Sequence, residues 1–169
     1  MTTDRHETEL LLSTVRAFMA AELFPHEEMV DRTGNVPDDL GRQIETRAKA
    51  AGLYSANMPE RVGGGGLSMR ATSLIEREYG KTSHALHSWI GRPTELLLAC
   101  EGDQIDTYLM PAVRGEKREL FALTEPEAGS DAGSLRTSAR KDGDHYILNG
   151  TKRFITNAPR AGLFTVFAR

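Results

Sequence analysis

Cysteine, tryptophan and long apolar runs are all scarce in this sequence. Its one cysteine, Cys100, excludes an internal disulfide and fits a reducing cytosol. No apolar run approaches the roughly 20 residues that a membrane-spanning helix needs. The N-terminal segment is charged and has no apolar stretch of the kind found in secretory signal peptides. These absences predict a cytoplasmic protein that does not span a membrane.

An excess of charge of one sign is also missing. The 21 basic and 24 acidic residues give a formal net charge of −3. This balance argues against binding to nucleic acid or to an anionic membrane surface.

Several common catalytic and cofactor motifs are absent. No G-x-G-x-x-G follows a strand pattern, so a Rossmann dinucleotide site is unsupported. Ser130 has no G-x-S-x-G around it and is not predicted to be a hydrolase nucleophile. His84 and His87 lie three residues apart without a carboxylate or cysteine placed nearby to complete a metal site. We therefore interpret them as incidental histidines and predict no metal.

Apolar residues recur at helical spacing in the first two thirds of the chain. The pattern predicts one helix from Asp4 to Asp31, bent at Pro25, and a second that begins near Pro37 and ends at Gly52. Further helices are predicted to begin at Ser68, Ser83 and Asp103. Trp89 is expected in the core.

From Glu119 onward the apolar period changes from 3.6 to 2. The sequence predicts an α+β fold, with an all-α domain over residues 1–118 and an incomplete antiparallel β domain over residues 119–169. The strongly β-like run Leu163–Ala168 stands at the end of the sequence. An uncovered strand there would be an exposed edge, so we expect a continuation of the chain or a partner to cover it.

The stretch from Leu120 to Asn157 carries the highest density of special residues. A strand, LFALT, is expected to stop before Pro126. Gly129 can take a positive φ, which would let nearby N–H groups converge on an anion. Asn149-Gly150 predicts the tip of a hairpin whose return strand carries Phe154, Ile155 and Thr156 beside LFALT. A phosphate-bearing flat cofactor would suit this arrangement, although the same residues are also typical of plain loops.

The motifs TEPEAGSD and NGTK, with FITN after them, resemble the flavin-contacting region of the acyl-CoA dehydrogenase family. The resemblance covers nearly the whole chain but only the front part of such an enzyme. It implies a helical domain, a β-barrel-like domain and a second helical bundle that is absent here. It also implies FAD as cofactor.

The resemblance further implies FAD-dependent α,β-dehydrogenation of an acyl-CoA thioester, within fatty acid metabolism. A carboxylate removes the α-proton while a hydride leaves the β-carbon for flavin N5. The family's glutamate base lies beyond Arg169, so no catalytic residue is assigned in this chain, and the 169-residue chain alone is expected to be inactive. The implied partners are the acyl-CoA substrate, an electron-transfer flavoprotein or another electron acceptor, and further copies of the full-length chain.

Two alternatives to a dehydrogenase stay open. One is an acyl-CoA oxidase or flavin monooxygenase of the same fold. The other is a non-catalytic chain that is truncated or depends on a partner.

Carried over by position, the resemblance implies a set of FAD-contacting residues: Phe121, Ala122, Leu123, Thr124, Gly129, Ser130, Phe154, Ile155 and Thr156. Ser130 is also implied at the acyl-CoA, and Thr156 as the donor to flavin N5. Two positions depart from the family pattern. Phe154 stands where many members have tryptophan, and Glu127 replaces a residue that is often glycine.

Overall fold

The computed structural model of this chain describes residues 5–169. The chain divides into two compact units, one that ends at Glu116 and one that runs from Lys117 to Arg169. Asp4, the predicted start of the first helix, lies outside the described residues. Among residues 5–169, every helix is too short or too polar to cross a membrane.

The first unit is helical. Its α-helices are α1 (Arg5–Glu22), α2 (Glu27–Thr33), α3 (Asp38–Ala50), α4 (Met69–Tyr79), α5 (His84–His87) and α6 (Met110–Val113). Short 3₁₀ helices cover Phe24–His26, Glu60–Val62 and Glu95–Ala99, and a π-helical segment covers Ile105–Leu109.

The helix predicted to bend at Pro25 is in fact interrupted there. Pro25 lies inside the 3₁₀ turn Phe24–His26, between the end of α1 and the start of α2. Proline lacks the N–H that an uninterrupted α-helix would use there, and its ring crowds the preceding turn. The predicted single helix is therefore two helices.

The helix ends follow the capping residues in the sequence. The Ser68 hydroxyl accepts a hydrogen bond from the N–H of Ala71 at the start of α4, and Ser83 does the same for Ala85 at the start of α5. Gly52 follows α3 with φ of +70°, a left-handed conformation that glycine adopts without steric cost. These three caps are confirmed, but Asp103, which was also predicted to begin a helix, lies inside the helical turn that leads into Ile105–Leu109.

The core of the helical unit is one cluster built from the apolar faces of its helices. Its members include Leu12, Val15, Met19, Leu23, Ile44, Ala48, Ile75, Leu86, Trp89 and Ile90. Trp89 is in the core, as predicted, and packs so closely on α3 that a Cβ at Gly41 would lie 2.1 Å from its ring.

The second unit contains four short strands: β1 (Glu119–Ala122), β2 (Ser138–Asp142), β3 (His145–Asn149) and β4 (Leu163–Val166). β2 and β3 form an antiparallel hairpin, but β1 pairs with β4 in parallel, with Glu119 opposite Leu163. The prediction of a purely antiparallel domain was therefore wrong. The long connection between β1 and β4, which contains the hairpin, is sufficient for a parallel crossover.

The prediction that Asn149-Gly150 forms the tip of a hairpin was also wrong. The tip of the observed hairpin is at Gly143, and Asn149 ends β3 opposite Ser138. A Cβ at Gly150 would lie 2.4 Å from Thr137 Oγ1 and 2.7 Å from Thr137 Cα. Glycine is therefore needed at this position for close packing of two backbone segments, which a turn signal in the sequence cannot distinguish from a hairpin tip.

Candidate functional site

A tight turn follows β1 in the second unit. The N–H of Glu125 donates to the carbonyl of Ala128 (3.0 Å), and the N–H of Ala128 donates back to the carbonyl of Glu125 (3.3 Å). Ala128 and Glu125 are buried, whereas Pro126 and Glu127 between them are exposed. The chain has therefore already reversed before it reaches Gly129.

This turn explains why one expectation about Gly129 was wrong. Gly129 is not among the glycines with positive φ, because the reversal is completed by the preceding residues. The site where its Cβ would stand has no atom within 4 Å, so Gly129 borders open space. Ser130 beside it is exposed, and its hydroxyl has no hydrogen-bond partner among residues 5–169. The two residues thus leave room and a free hydroxyl at the surface of the turn.

The carboxylate of Glu125 joins three segments of the second unit by hydrogen bonds. Its side chain is only 4% exposed, and it accepts hydrogen bonds from the backbone N–H of Arg136 (2.6 Å) and of Thr137 (2.9 Å). The Thr137 hydroxyl and Lys152 Nζ (2.9 Å) donate to it as well. We call Glu125, the two N–H groups, the Thr137 hydroxyl and Lys152 the Glu125 cluster.

These donors fix the charge state of Glu125. The hydrogen bond from the Thr137 hydroxyl, followed by those from the Arg136 N–H and from Lys152, lowers the pKa of Glu125 to about 2. Burial acts in the opposite direction and is outweighed. Glu125 is therefore ionised at neutral pH, and it is fully engaged in holding the loops.

Lys152 connects this cluster to the segment that follows β3. Its ammonium group donates both to Glu125 Oε1 and to the carbonyl of Leu123, each at 2.9 Å. The next residue, Arg153, donates its N–H to the carbonyl of Thr124 (2.8 Å). Two loops that are distant in sequence are thereby held side by side.

The segment Phe154–Thr156 is an exposed loop. It was predicted to be a strand, but Phe154 has φ of +58°, which is incompatible with one. A bulky residue rarely takes this conformation, and such residues cluster at functional sites. The Phe154 ring is 76% exposed, and the Arg153 guanidinium lies 4.2 Å from its centroid. The segment does lie beside the residues after β1, as predicted, but through the Arg153–Thr124 hydrogen bond.

The other predicted site residues differ in what they can offer. Ala122 is 3% exposed, so its side chain is not available to a ligand. Phe121 is 44% exposed and packs on Phe167, with ring centroids 4.6 Å apart. The hydroxyls of Thr124 and Thr156 have no hydrogen-bond partner among the described residues, and Thr156 is exposed.

The donor set suits a flat ligand that has both an aromatic face and polar edges. The ring of Phe154 supplies an apolar surface, and the three hydroxyls of Thr124, Ser130 and Thr156 can donate or accept. The open space at Gly129 allows the ligand to approach the backbone. An isoalloxazine ring has this combination of a planar aromatic body and hydrogen-bonding edges, so the residues present fit a flavin.

The histidine pair lies in the first unit. His84 Nδ1 is 3.2 Å from His87 Nε2, and Tyr79 stacks on His87. Burial, and then the neighbouring His84, lowers the pKa of His87. No group of three or more His, Cys, Asp or Glu side chains suited to a metal occurs in the part of the chain that the structure describes.

Sequence reasoning missed the role of Glu125 and Lys152. Both residues stand in the motifs TEPEAGSD and NGTK, but the sequence indicated no role for either of them. The two lie 27 residues apart, so no local pattern relates them. The one available signal was a carboxylate directly after the strand LFALT, where burial demands donors.

The chain matches two family models. One, for the N-terminal domain of acyl-CoA dehydrogenase, matches residues 5–116, and one for the middle domain matches residues 120–169. The 3-(aryl)acrylate reductase of Clostridium sporogenes is 38% identical, over 99% of this chain and 44% of that protein. A subunit of the caffeyl-CoA reductase-Etf complex of Acetobacterium woodii is 32% identical, over 96% of this chain and 44% of that protein.

A solved structure agrees with these matches. The acyl-CoA dehydrogenase of Bacillus anthracis, complexed with FAD, has a TM-score of 0.81 at 30% identity and covers 98% of this chain and 30% of that chain. The chain thus spans less than half the length of these three proteins. The matches confirm the resemblance first seen in TEPEAGSD and FITN, and the chain belongs to the acyl-CoA dehydrogenase family.

Proposed function

We propose that the chain is the N-terminal part of a flavoenzyme that dehydrogenates an acyl-CoA thioester between its α and β carbons, with FAD as cofactor. The observation that carries the proposal is the pair of loops, residues 123–130 and 154–156, which the Glu125 cluster holds side by side. Family membership and a relative that binds FAD support it.

The proposal assigns the chain to two domains. Residues 1–118 would form the helical domain, and residues 119–169 the first part of a β-barrel-like middle domain that contacts the flavin. The separation into two compact units near Glu116 supports this boundary. The wider barrel rests on the family resemblance, since each sheet here has two strands.

Each proposed flavin contact follows from what the residue exposes. Phe154 would present its ring to the flavin plane, and the Thr156 hydroxyl would donate at flavin N5. Thr124 would bind the pyrimidine edge through its hydroxyl, because its carbonyl already accepts from Arg153. Phe121, Ala122, Leu123, Gly129 and Ile155 would line the same surface. Ser130 would bind both the flavin and the acyl-CoA.

When bound, FAD supplies the acceptor for the hydride that leaves the β-carbon. This chain's residues orient the substrate and the cofactor, and none of them is assigned as the base. Glu125 is unsuited to that role, because its carboxylate is saturated with four donors and its pKa is about 2. We also propose an electron-transferring flavoprotein as acceptor, assembly of the holoenzyme into homo-oligomers, and a cytoplasmic place in fatty acid metabolism.

The reverse reaction is the second candidate. Both curated relatives described above are named as reductases, one of them for an arylacrylate and one for a caffeyl thioester. Reduction of an α,β-unsaturated acyl group would use the same cofactor surface. Anaerobic reduction of the holoenzyme's flavin by an acyl-CoA favours dehydrogenation, whereas oxidation of its reduced flavin by an enoyl-CoA favours reduction. Rapid reoxidation by oxygen would instead indicate an oxidase or monooxygenase.

The flavin surface can be tested with two exposed phenylalanines. Phe154→Ala should weaken FAD binding about 3- to 10-fold, which corresponds to the loss of one aromatic contact. Phe24→Ala in the first unit, where the ring is 43% exposed, is the matched control and should leave FAD affinity unchanged. The measurement is quenching of flavin fluorescence on titration of FAD with the 169-residue chain.

We expect this chain to bind FAD weakly and saturably and to show no acyl-CoA dehydrogenation. Equal FAD affinity in wild type and Phe154→Ala, or no saturable binding by wild type, would contradict the proposed site. Turnover by the chain alone would mean that a base lies within these residues.

A further inference from the structure

The two proposed flavin-contacting loops have little backbone structure of their own to hold them together. Residues 123–130 and 154–156 belong to no strand, and the backbone hydrogen bond that joins the two regions is Arg153 N–H to the Thr124 carbonyl. Loops held by so few bonds sample many arrangements unless side chains fix them. Side-chain interactions therefore have to set their relative position.

Lys152 makes such interactions. It stands two residues before Phe154, and its ammonium group bridges the Leu123 carbonyl and the Glu125 carboxylate. Its side chain is only 12% exposed, so water competes little for these bonds. Lys152 thus fixes the start of one loop directly against the backbone of the other.

Glu125 anchors the arrangement from the opposite side. Besides Lys152, its carboxylate binds the N–H groups of Arg136 and Thr137, the two residues before β2, and the Thr137 hydroxyl. The turn that carries Glu125 is therefore connected to the β2–β3 hairpin, whose five residue pairs are in regular antiparallel register. Glu125 therefore connects the first loop to the segment that leads into that hairpin, and through Lys152 it also connects the second loop.

We propose that Glu125 and Lys152 are positioning residues, and that their ion pair sets the separation of loops 123–130 and 154–156 to match a bound flavin. The inference rests on the proposed function. Neither side chain contacts the flavin, because each is buried and its polar atoms are hydrogen-bonded within the protein. Both act through the residues they hold, namely Thr124, Phe154 and Thr156.

The alternative is that the pair only stabilises the fold, and the chain offers a matched control for this. Glu78 is a second buried carboxylate, with a side chain 2% exposed, and it pairs with Arg16 (3.1 Å) and Lys81. The bond from Arg16, followed by that from Lys81, lowers the pKa of Glu78 to about 2, as for Glu125. All three residues belong to the helical unit. Glu78→Gln therefore removes the charge of a comparably buried carboxylate in the helical unit, although its partners Arg16 and Lys81 are more exposed than Lys152.

The experiment measures two quantities in the 169-residue chain and in the variants Glu125→Gln, Lys152→Met, the double variant and Glu78→Gln. The first is hydrogen exchange of the loop amides without flavin. The second is the FAD dissociation constant from fluorescence titration. Lys152→Met leaves the carboxylate three donors, so it is the variant that keeps the fold most securely.

We expect both single variants to speed exchange in residues 123–130 and 151–157. We also expect them to weaken FAD binding about 10- to 100-fold, by analogy with the loss seen when residues that orient metal ligands are replaced. The double variant should be no weaker than the worse single variant, because the two residues act as one pair. Glu78→Gln should speed exchange in α1 and α4 and leave FAD affinity unchanged.

Three results would overturn the inference. One is wild-type FAD affinity in a folded Lys152→Met chain, and another is an equal loss of affinity in Glu78→Gln. The third is unchanged exchange in both loops of Glu125→Gln and Lys152→Met. If wild type itself failed to bind FAD, the proposed function would fail while the exchange data still decided whether the pair positions the loops.

Discussion

Replacing Gly150 with alanine tests the packing on which the candidate site depends. An alanine Cβ at this position would lie 2.4 Å from Thr137 Oγ1, 2.7 Å from its Cα and 2.8 Å from its Cβ. Rotation of the threonine side chain cannot relieve the contacts with Cα and Cβ. Because ordinary contacts begin at 3.4 Å, the backbone of one segment has to move by about 0.7 Å relative to the other.

That movement has a direct consequence for the Glu125 cluster. Thr137 supplies two of the four donors to Glu125, and Gly150 stands two residues before Lys152, which supplies another. Overpacking of this kind typically costs about 1–3 kcal/mol. We therefore expect amides of the β2–β3 hairpin to exchange about 5- to 150-fold faster in Gly150→Ala than in wild type.

Hydrogen exchange followed by mass spectrometry measures this effect in each unit separately. Gly133→Ala is the matched control, since its Cβ would meet only Asp131 Oδ1 at 3.4 Å, an ordinary contact. The hairpin amides of Gly133→Ala should exchange as in wild type. Amides of the helical unit should exchange at the wild-type rate in both variants. Wild-type exchange of the hairpin in Gly150→Ala would refute the close packing of Gly150 on Thr137.

Three further predictions concern the flavin, the substrate and pH. Thr156→Val should weaken FAD binding by about 0.5–3 kcal/mol, measured by fluorescence titration. Thr14→Val, at an exposed position on α1, is the control and should leave FAD affinity unchanged. If Thr156→Val also binds FAD as tightly as wild type, Thr156 does not contact the flavin. Ser130→Ala should raise the KM of the active holoenzyme for acyl-CoA more than it changes FAD occupancy, and the reverse pattern would assign Ser130 to the wrong ligand. Because the folded-state pKa of Glu125 is about 2, below its ordinary 4.5, its stabilising contribution is complete above pH 4.5 and is lost as the pH falls towards 2. Urea midpoints measured from pH 5 to 2 should therefore depend less on pH in Glu125→Gln than in wild type. An unchanged dependence would contradict the lowered pKa of Glu125.

Local signals in the sequence predicted the helical unit well. Ser68 and Ser83 cap helices through their own hydroxyls, and Gly52 ends one through its own φ, so each effect lies within a few residues. Pro25 breaks a helix for an equally local reason. Even the core position of Trp89 followed from helical spacing, because the same spacing brings apolar residues to one face.

The second unit depends on contacts that are remote in sequence, and prediction there was less accurate. The sequence alone allowed β4 to pair with β1 in either direction, and the structure shows a parallel pair. Asn149-Gly150 has the composition of a turn, yet Gly150 is required by the backbone of Thr137. The motifs contain Glu125 and Lys152, but they did not show that the two residues pair, because the donors to Glu125 come from 11 to 27 residues away.

The central claim is that residues 123–130 and 154–156 form one flavin-binding surface. Its most direct test is a titration of the ¹⁵N-labelled 169-residue chain with FAD, followed by the backbone amide chemical shifts of every residue. We predict saturable shifts that are largest in these two loops, and greatly reduced shifts in the same loops of the Lys152→Met chain. Saturable shifts confined to other residues, or an absence of shifts in both loops, would contradict the account.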